Sequence, residues 1–204
     1  MEYIDLTHIF TGQMPVYPGD DLPELTQTAS IEKEGVVDHQ IVTGMHVGTH
    51  MDAPLHMIAG GKQISDYPAE KFFGRGVLID ARGQELADVN LLAGIDIQPG
   101  DIVLVMFGWG GKFREPDYYQ KYPEITEQFA AQLADLKVSI VGIDTPSPDR
   151  LPYKVHKILL GQDILIIENL VNLENLASKK FELVALPVKF DTEASFCRVV
   201  ARIL

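Results

Sequence analysis

The sequence predicts an α/β fold with a mixed, strand-rich sheet, on three observations. Short runs rich in β-branched and aromatic residues recur along the 204 residues. Only two segments carry a helical period. No internal repeat, low-complexity tract or Pro/Gly/Ser linker divides the chain, so residues 1–204 are expected to form a single domain. A doubly wound parallel sheet needs a helix after most strands, and this pattern has too few.

The strand runs are Tyr3–Thr7, Val36–Val47, Val77–Ala81, Ile102–Phe107, Val138–Asp144, Ile164–Glu168, Phe181–Phe190 and Ser195–Leu204. The clearer helix is expected over Pro123–Leu136, where Ile125, Phe129, Leu133 and Leu136 share one face and Pro123 suits a helix start. A shorter helix is expected over Pro152–Leu160, with Val155, Ile158 and Leu159 apolar and Gly161 placed as its C-cap.

Hydrophobic residues make up 46% of the chain and charged residues 23%, the usage of a globular protein with a real core and not of a disordered one. The 29 acidic against 17 basic residues give a net charge of −12, which repels nucleic acid and anionic membranes and leaves small molecules as the expected partners. One cysteine, Cys197, allows no internal disulfide, and its apolar surroundings predict a buried, inert thiol. The N-terminus lacks a basic segment followed by an apolar stretch, and no run of about 18 apolar residues occurs. A soluble, cytoplasmic protein is expected.

The strongest chemical signal is His46-Val-Gly-Thr-His50-Met-Asp52-Ala-Pro-Leu-His56, which holds three of the six histidines and an aspartate. On an extended chain these even-numbered residues project to one side. A straight strand from His46 to Asp52 would nevertheless span roughly 20 Å, while the ligands of one Zn²⁺ each lie about 2 Å from it. The chain must therefore bend, and Gly48 permits a bend. A helix would align His46 with His50, but Gly48, Thr49 and Pro54 disfavour one, so strand, bend and loop is the expected local structure. Imidazoles with a carboxylate suit a catalytic zinc better than a structural one, because structural sites favour thiolates. His8 and His39 lack comparable neighbours and read as surface or core histidines.

These residues resemble the signature His-x-Gly-Thr-His-x-Asp-x-Pro-x-His of the cyclase-like metal-dependent hydrolases, which include bacterial kynurenine formamidase and isatin hydrolase. The resemblance extends through Asp5-Leu-Thr-His8, Met14-Pro-Val-Tyr-Pro-Gly-Asp20, Gly142-Ile-Asp-Thr-Pro-Ser147, His156, Leu159-Leu160, Glu168-Asn-Leu and Asn172-Leu173. It implies a swivelling β/β/α-type fold. It also implies that His46, His50 and Asp52 hold one metal, that Asp52 bridges to a second held by His156 and Glu168, and that His56 is the proton donor and acceptor. Two Zn²⁺ per chain are expected on this basis, with Mn²⁺ as the competitor.

The implied reaction is hydrolysis of a small-molecule amide: N-formylkynurenine gives kynurenine plus formate, a step of tryptophan catabolism. Water activated by the metal attacks the carbonyl, and His56 shuttles the proton. A lactam or lactone substrate such as isatin, or a metal-assisted cyclase or dehydratase reaction, is the alternative on the same scaffold. Homodimers or homotetramers are implied by the resemblance alone.

The chain departs from the family pattern in two places. Tyr17 stands where kynurenine formamidases usually carry tryptophan; it is expected to bind substrate by stacking, though its neighbours Val16 and Pro18 equally suit a packing role. Phe190-Asp-Thr-Glu-Ala-Ser-Phe-Cys-Arg198 has Glu193 and Phe196 in a run where relatives have small residues and proline. If that run lines the pocket, substrate choice is the property it shifts. The glycine-rich Phe107–Phe113 segment around Trp109 reads as a structural loop tip, and Asp20, Asp21 and Glu24 as a solvated loop.

Overall fold

The computed structural model of the protein describes residues 1–204. Its strands are β1 (Tyr3–Asp5), β2 (Glu24–Ala29), β3 (Asp38–Val42), β4 (His50–Asp52), β5 (Phe73–Asp80), β6 (Leu86–Ala87), β7 (Ile102–Met106), β8 (Glu124–Ile125), β9 (Ile140–Ile143), β10 (Leu165–Glu168), β11 (Phe181–Pro187) and β12 (Ala194–Ile203). The α-helices are α1 (Ile31–Glu34), α2 (Glu127–Asp135) and α3 (Lys154–Gly161). The expected mixed, strand-rich α/β architecture is what forms.

Eight strands make one sheet in the order β1-β12-β11-β5-β7-β9-β10-β4, and β4 also pairs with β12, so seven of them close into a barrel. The run β5, β7, β9, β10 is parallel, while β11, β12, β1 and β4 join antiparallel. The long strand β12 makes closure possible by sharing one edge. Ala194–Phe196 pair with β4, and Val200–Arg202 pair with β1.

The parallel strands are apolar throughout because both of their faces are buried. In β7, Ile102, Leu104 and Met106 enter one core with Met51, Leu165, Ile167, Leu183 and Val199. The alternate residues Val103 and Val105 face a second core, with Val141, Ile143, Ile166 and the helix residues Phe129, Leu133, Val155 and Leu159. Cys197 is buried in the first core, as expected, and burial pushes its thiol pKa up.

The first long helix starts four residues later than its periodicity suggests. Glu124–Ile125 pair with β6 instead, and the Thr126 hydroxyl accepts the Phe129 N–H at 3.2 Å to cap α2. The second helix lies close to its expected span, but Gly161 is its last helical residue and Gln162 takes the C-cap. The Val36–Val47 run is strand only over Asp38–Val42; residues 45–49 are bends. The strands β2 and β3 form a separate two-stranded ribbon with Leu25, Ile41 and Val42 exposed. No helix is long and apolar enough to cross a membrane.

The turn after β7 is built around Asp144. Its buried carboxylate accepts the backbone N–H groups of Phe107 at 2.8 Å and Trp109 at 3.0 Å, and burial raises its pKa to about 6. The Trp109 indole N–H donates to the Tyr118 carbonyl at 3.1 Å, which ties the glycine-rich segment to the chain that follows it.

Opposite Gly76 in the β5–β11 register stands Phe181, 2% exposed, whose ring occupies the space a Cβ would need. Gly76→Ala is therefore expected to destabilise the fold by about 1–3 kcal/mol through overpacking. Urea unfolding should show a lowered midpoint with an unchanged m-value.

Candidate active site

The histidine-rich segment adopts the bend its length demands. Residues 45–49 turn the chain into β4, with Gly48 at φ +68°, and a Cβ there would meet Met14 Cε at 2.8 Å. Two donors hold the Gly48 carbonyl: Asn169 Nδ2 at 3.0 Å and His50 Nδ1 at 2.8 Å. The Thr49 hydroxyl donates to the Asn169 carbonyl at 2.7 Å, so the bend is tied to the chain leaving β10. With its Nδ1 used in this way, His50 turns Nε2 towards the interior.

Register then gathers the remaining groups. Between its two neighbours, β4 sets His50 opposite Glu168 and Phe196, and Asp52 opposite Ile166 and Ala194. His50 Nε2 lies 3.4 Å from Glu168 Oε2 and 3.5 Å from Asp52 Oδ1, while His46 Nδ1 is 3.0 Å from the same Asp52 oxygen. His156, on α3, brings Nε2 to 3.4 Å from Glu168 Oε1 and 4.0 Å from Asp52 Oδ2. One oxygen of Asp52 thus faces His46 and His50, and the other faces His156.

His56 closes a 3-10 turn over Pro54–His56, with its ring centroid 4.2 Å from that of His46 and 5.8 Å from that of His156. It opens onto a cavity of about 310 Å³, also lined by Tyr17, Asp20, Met57, Tyr119, Pro146, Ser147 and Tyr153. All seven residues singled out from the sequence, His46, His50, Asp52, His56, His156, Glu168 and Tyr17, are therefore in or beside one site. Tyr17 meets Tyr119 edge to face at 5.8 Å.

Asp20 and Asp21 lie exposed in a loop, as expected, though Asp20 also lines the cavity; Glu24 is exposed but begins β2. The Phe190–Arg198 run does not line the cavity, so the condition for its shifting substrate choice is not met. Phe196 packs edge-on against Phe10 and Phe190 instead, and Glu193 Oε1 lies 3.3 Å from His46 Nε2. His8 is partly buried and stacks on Phe113 at 3.9 Å, and His39 is exposed on β3.

The charges are strongly coupled. Burial opposes protonation of His46, but Asp52, Glu168 and Glu193 outweigh it and raise the imidazole to about 9. Burial likewise opposes charge on His156, where Asp149 and Glu168 prevail and raise it to about 10. His50 is raised by Asp52 and Glu168 against its burial. Asp52 is lowered despite complete burial, by His46 and His50. Glu168 is pushed up by burial and by Asp52, yet the facing imidazoles of His156 and His50 leave it lowered. His56 goes the other way: burial lowers it, the charges of His46 and His156 lower it further, and the pull of Asp52 and Glu168 does not compensate.

Asp149 is the residue that sequence reasoning missed. Its Oδ1 lies 2.6 Å from His156 Nδ1, and its Oδ2 accepts the Val155 N–H at 2.7 Å, so one carboxylate caps α3 and orients the histidine. An acidic residue just before a helix was a visible signal. Asn169 falls within the Glu168-Asn-Leu run of the family resemblance, whereas Tyr119 and Tyr153 carry no signal, because only the fold brings them to the site.

His50 Nε2 and both oxygens of Asp52 are buried and make no hydrogen bond within the protein. His46, Asp52 and His56 offer ligand atoms within 4.8 Å of one another, as do His50, Asp52 and Glu168. Imidazole nitrogens and carboxylate oxygens facing inward in this way are a donor set that fits a divalent metal.

Known proteins are similar to this chain over nearly its full length. The kynurenine formamidase of Bacillus cereus is 29% identical over 206 residues, covering 98% of this chain and 97% of that protein. The solved structure of a potential metal-dependent hydrolase with cyclase activity superposes with a TM-score of 0.84 at 29% identity, covering 98% of this chain and 96% of its own. Isatin hydrolase A from Labrenzia aggregata, solved with benzyl benzoate, gives a TM-score of 0.88 at 25% identity, covering 98% and 93%. The family model for Cyclase matches residues 4–150, and the chain belongs to that family.

Proposed function

We propose that this protein is a metal-dependent amidohydrolase that cleaves a small-molecule amide in the manner of an arylformamidase, with N-formylkynurenine as substrate. The observation that carries the reading is the convergence of His46, His50, His156 and Glu168 on the two unpartnered oxygens of buried Asp52. Full-length similarity to the kynurenine formamidase of Bacillus cereus supports the substrate.

In this reading His46, His50 and Asp52 hold one metal, and Asp52, His156 and Glu168 a second; Zn²⁺ is the preferred ion and Mn²⁺ the competitor. Asp52 is suited to bridging because its oxygens face different histidines. When bound, the metal supplies Lewis acidity that polarises the amide carbonyl and acidifies water.

The chain's own residues perform the proton transfers. Burial pushes His56 towards its neutral form, so its free nitrogen accepts a proton from the attacking water. It returns that proton to the amide nitrogen as the C–N bond breaks, since an amine anion is a very poor leaving group. Tyr17, braced by Tyr119, stacks on the aromatic ring of the substrate at the cavity mouth.

Residues 1–204 are proposed to act as one unit, in the cytoplasm, where the lone buried thiol of Cys197 needs no oxidising environment. Assembly as a homodimer or homotetramer is part of the proposal, supported by the exposed Leu25, Ile41 and Val42 of the β2–β3 ribbon. Light scattering should return two or four chain masses, and a monomer at working concentration would refute assembly.

A second reading, hydrolysis of a cyclic amide or lactone, is favoured by the likeness to isatin hydrolase A. Activity of the zinc- or manganese-loaded protein on N-formylkynurenine, isatin and simple lactams separates the two. Product analysis distinguishes either from a dehydration or ring closure on the same scaffold, because hydrolysis takes up water.

His56→Ala is expected to keep the metal content of the wild type while kcat falls about 100- to 10,000-fold. Near-normal turnover in that variant would remove His56 from the mechanism. Zinc should raise the midpoint of thermal unfolding, by the equivalent of about 2.7 kcal/mol at a free concentration 100 times Kd. A chelator should reverse the gain, and Asp52→Asn should abolish it; a zinc-independent midpoint in the wild type would count against the metal centre.

A further inference from the structure

We infer that Glu193 is a positioning residue of the metal centre: its carboxylate holds the Nε2–H of His46, so that the ring presents Nδ1 to the metal. The inference rests on the proposal that His46 is a ligand. An imidazole that binds a metal through one nitrogen carries its proton on the other, and that proton needs an acceptor to fix tautomer and ring orientation. His50 has the Gly48 carbonyl at 2.8 Å from Nδ1, and His156 has Asp149 Oδ1 at 2.6 Å from Nδ1. In both, the opposite nitrogen faces Asp52 and Glu168.

His46 repeats the arrangement with its nitrogens exchanged. Nδ1 faces Asp52 Oδ1 at 3.0 Å, and Nε2, across the ring, faces Glu193 Oε1 at 3.3 Å. This ring also has the greatest need of a tether. Its side chain is 27% exposed, against 1% for His50 and 3% for His156, so packing confines it least.

The backbone that carries Glu193 is fixed to the metal strand itself. The Glu193 carbonyl accepts the Ala53 N–H at 2.8 Å, and the next residue, Ala194, pairs with Asp52. The carboxylate therefore moves with Asp52, and the distance between the two groups that bracket His46 is set by one register. Glu193 is not among the residues that line the cavity, which fits a group that orients a ligand.

The test compares zinc affinity, by chelator competition, for the wild type, Glu193→Ala, Glu193→Gln and Asp52→Asn. Urea unfolding of each metal-free protein and the imidazole N–H resonances of the zinc-loaded proteins accompany it. Loss of the acceptor in Glu193→Ala should weaken zinc binding about 10- to 100-fold. Glu193→Gln, which keeps an acceptor oxygen, should recover most of that loss.

The protected His46 N–H resonance should be present in the wild type and in Glu193→Gln and absent in Glu193→Ala, with metal-free stability unchanged throughout. Zinc affinity of Glu193→Ala equal to wild type, while Asp52→Asn binds none, would overturn the role of Glu193 and leave the metal centre standing. Loss of affinity in both Glu193 variants together with lost metal-free stability would make the residue structural and overturn it too. A wild type that takes up no zinc or manganese would remove both this role and the reading beneath it.

Discussion

The structure turns on a carboxylate buried at the seam of a barrel. The strand that closes the ring, β4, is three residues long and is paired on both edges, to β10 and to β12. Asp52, its last residue, is 0% exposed, and neither of its oxygens has a hydrogen-bond donor within the protein. An isolated charge in such a place costs several kcal/mol even after the surroundings relax. The position is tenable only because cationic or metal-bound groups can surround it, and the register of the two neighbouring strands brings them there. Glu168 arrives opposite His50 from β10, and α3, which leads into that strand, carries His156.

A second layer of contacts makes this arrangement directional. Three imidazoles point one nitrogen inward, and each has its other nitrogen against a fixed oxygen, from Gly48, Asp149 or Glu193. These acceptors serve the fold as well as the site. Asp149 caps α3, the Gly48 carbonyl is shared with Asn169, and the carbonyl of Glu193 belongs to the β12–β4 seam. Displacing any one disturbs an element and a candidate ligand together, so the groups carried by the bend before β4, by β4, α3 and β10 are held in place by the fold itself.

The sequence was most legible where local chemistry dictates local geometry. The impossibility of a straight strand from His46 to Asp52 located the bend at Gly48, and alternation with β-rich runs located most of the sheet. The start of α2 was misplaced because periodicity does not register a competing strand pairing at Glu124–Ile125, which depends on a segment nearly forty residues earlier. The pairing of His156 with Glu168 is unremarkable on spacing alone and is implied only by the family resemblance. Glu193 differs from Asp149, whose place just before α3 is a local signal: Glu193 meets His46 across the fold, and that partner is known only once the register is known.

That distinction also explains why the departures from the family pattern have different consequences. Glu193 and Phe196 both lie on the strand side of the site, where one bears on a ligand and the other joins an aromatic cluster with Phe10 and Phe190. Tyr17 lies on the loop side, where Asp20, Tyr119 and Tyr153 complete the cavity mouth from separate segments. Groups carried on strands can change only within the limits set by pairing and burial, whereas loop residues can change size and polarity without disturbing the barrel. A phenol in place of an indole keeps a stacking face and adds a hydroxyl that can donate or accept a hydrogen bond. The cluster of candidate metal-binding groups is therefore anchored at the closing strand, and the cavity beside it is lined by Tyr17, Tyr119 and Tyr153 from separate segments.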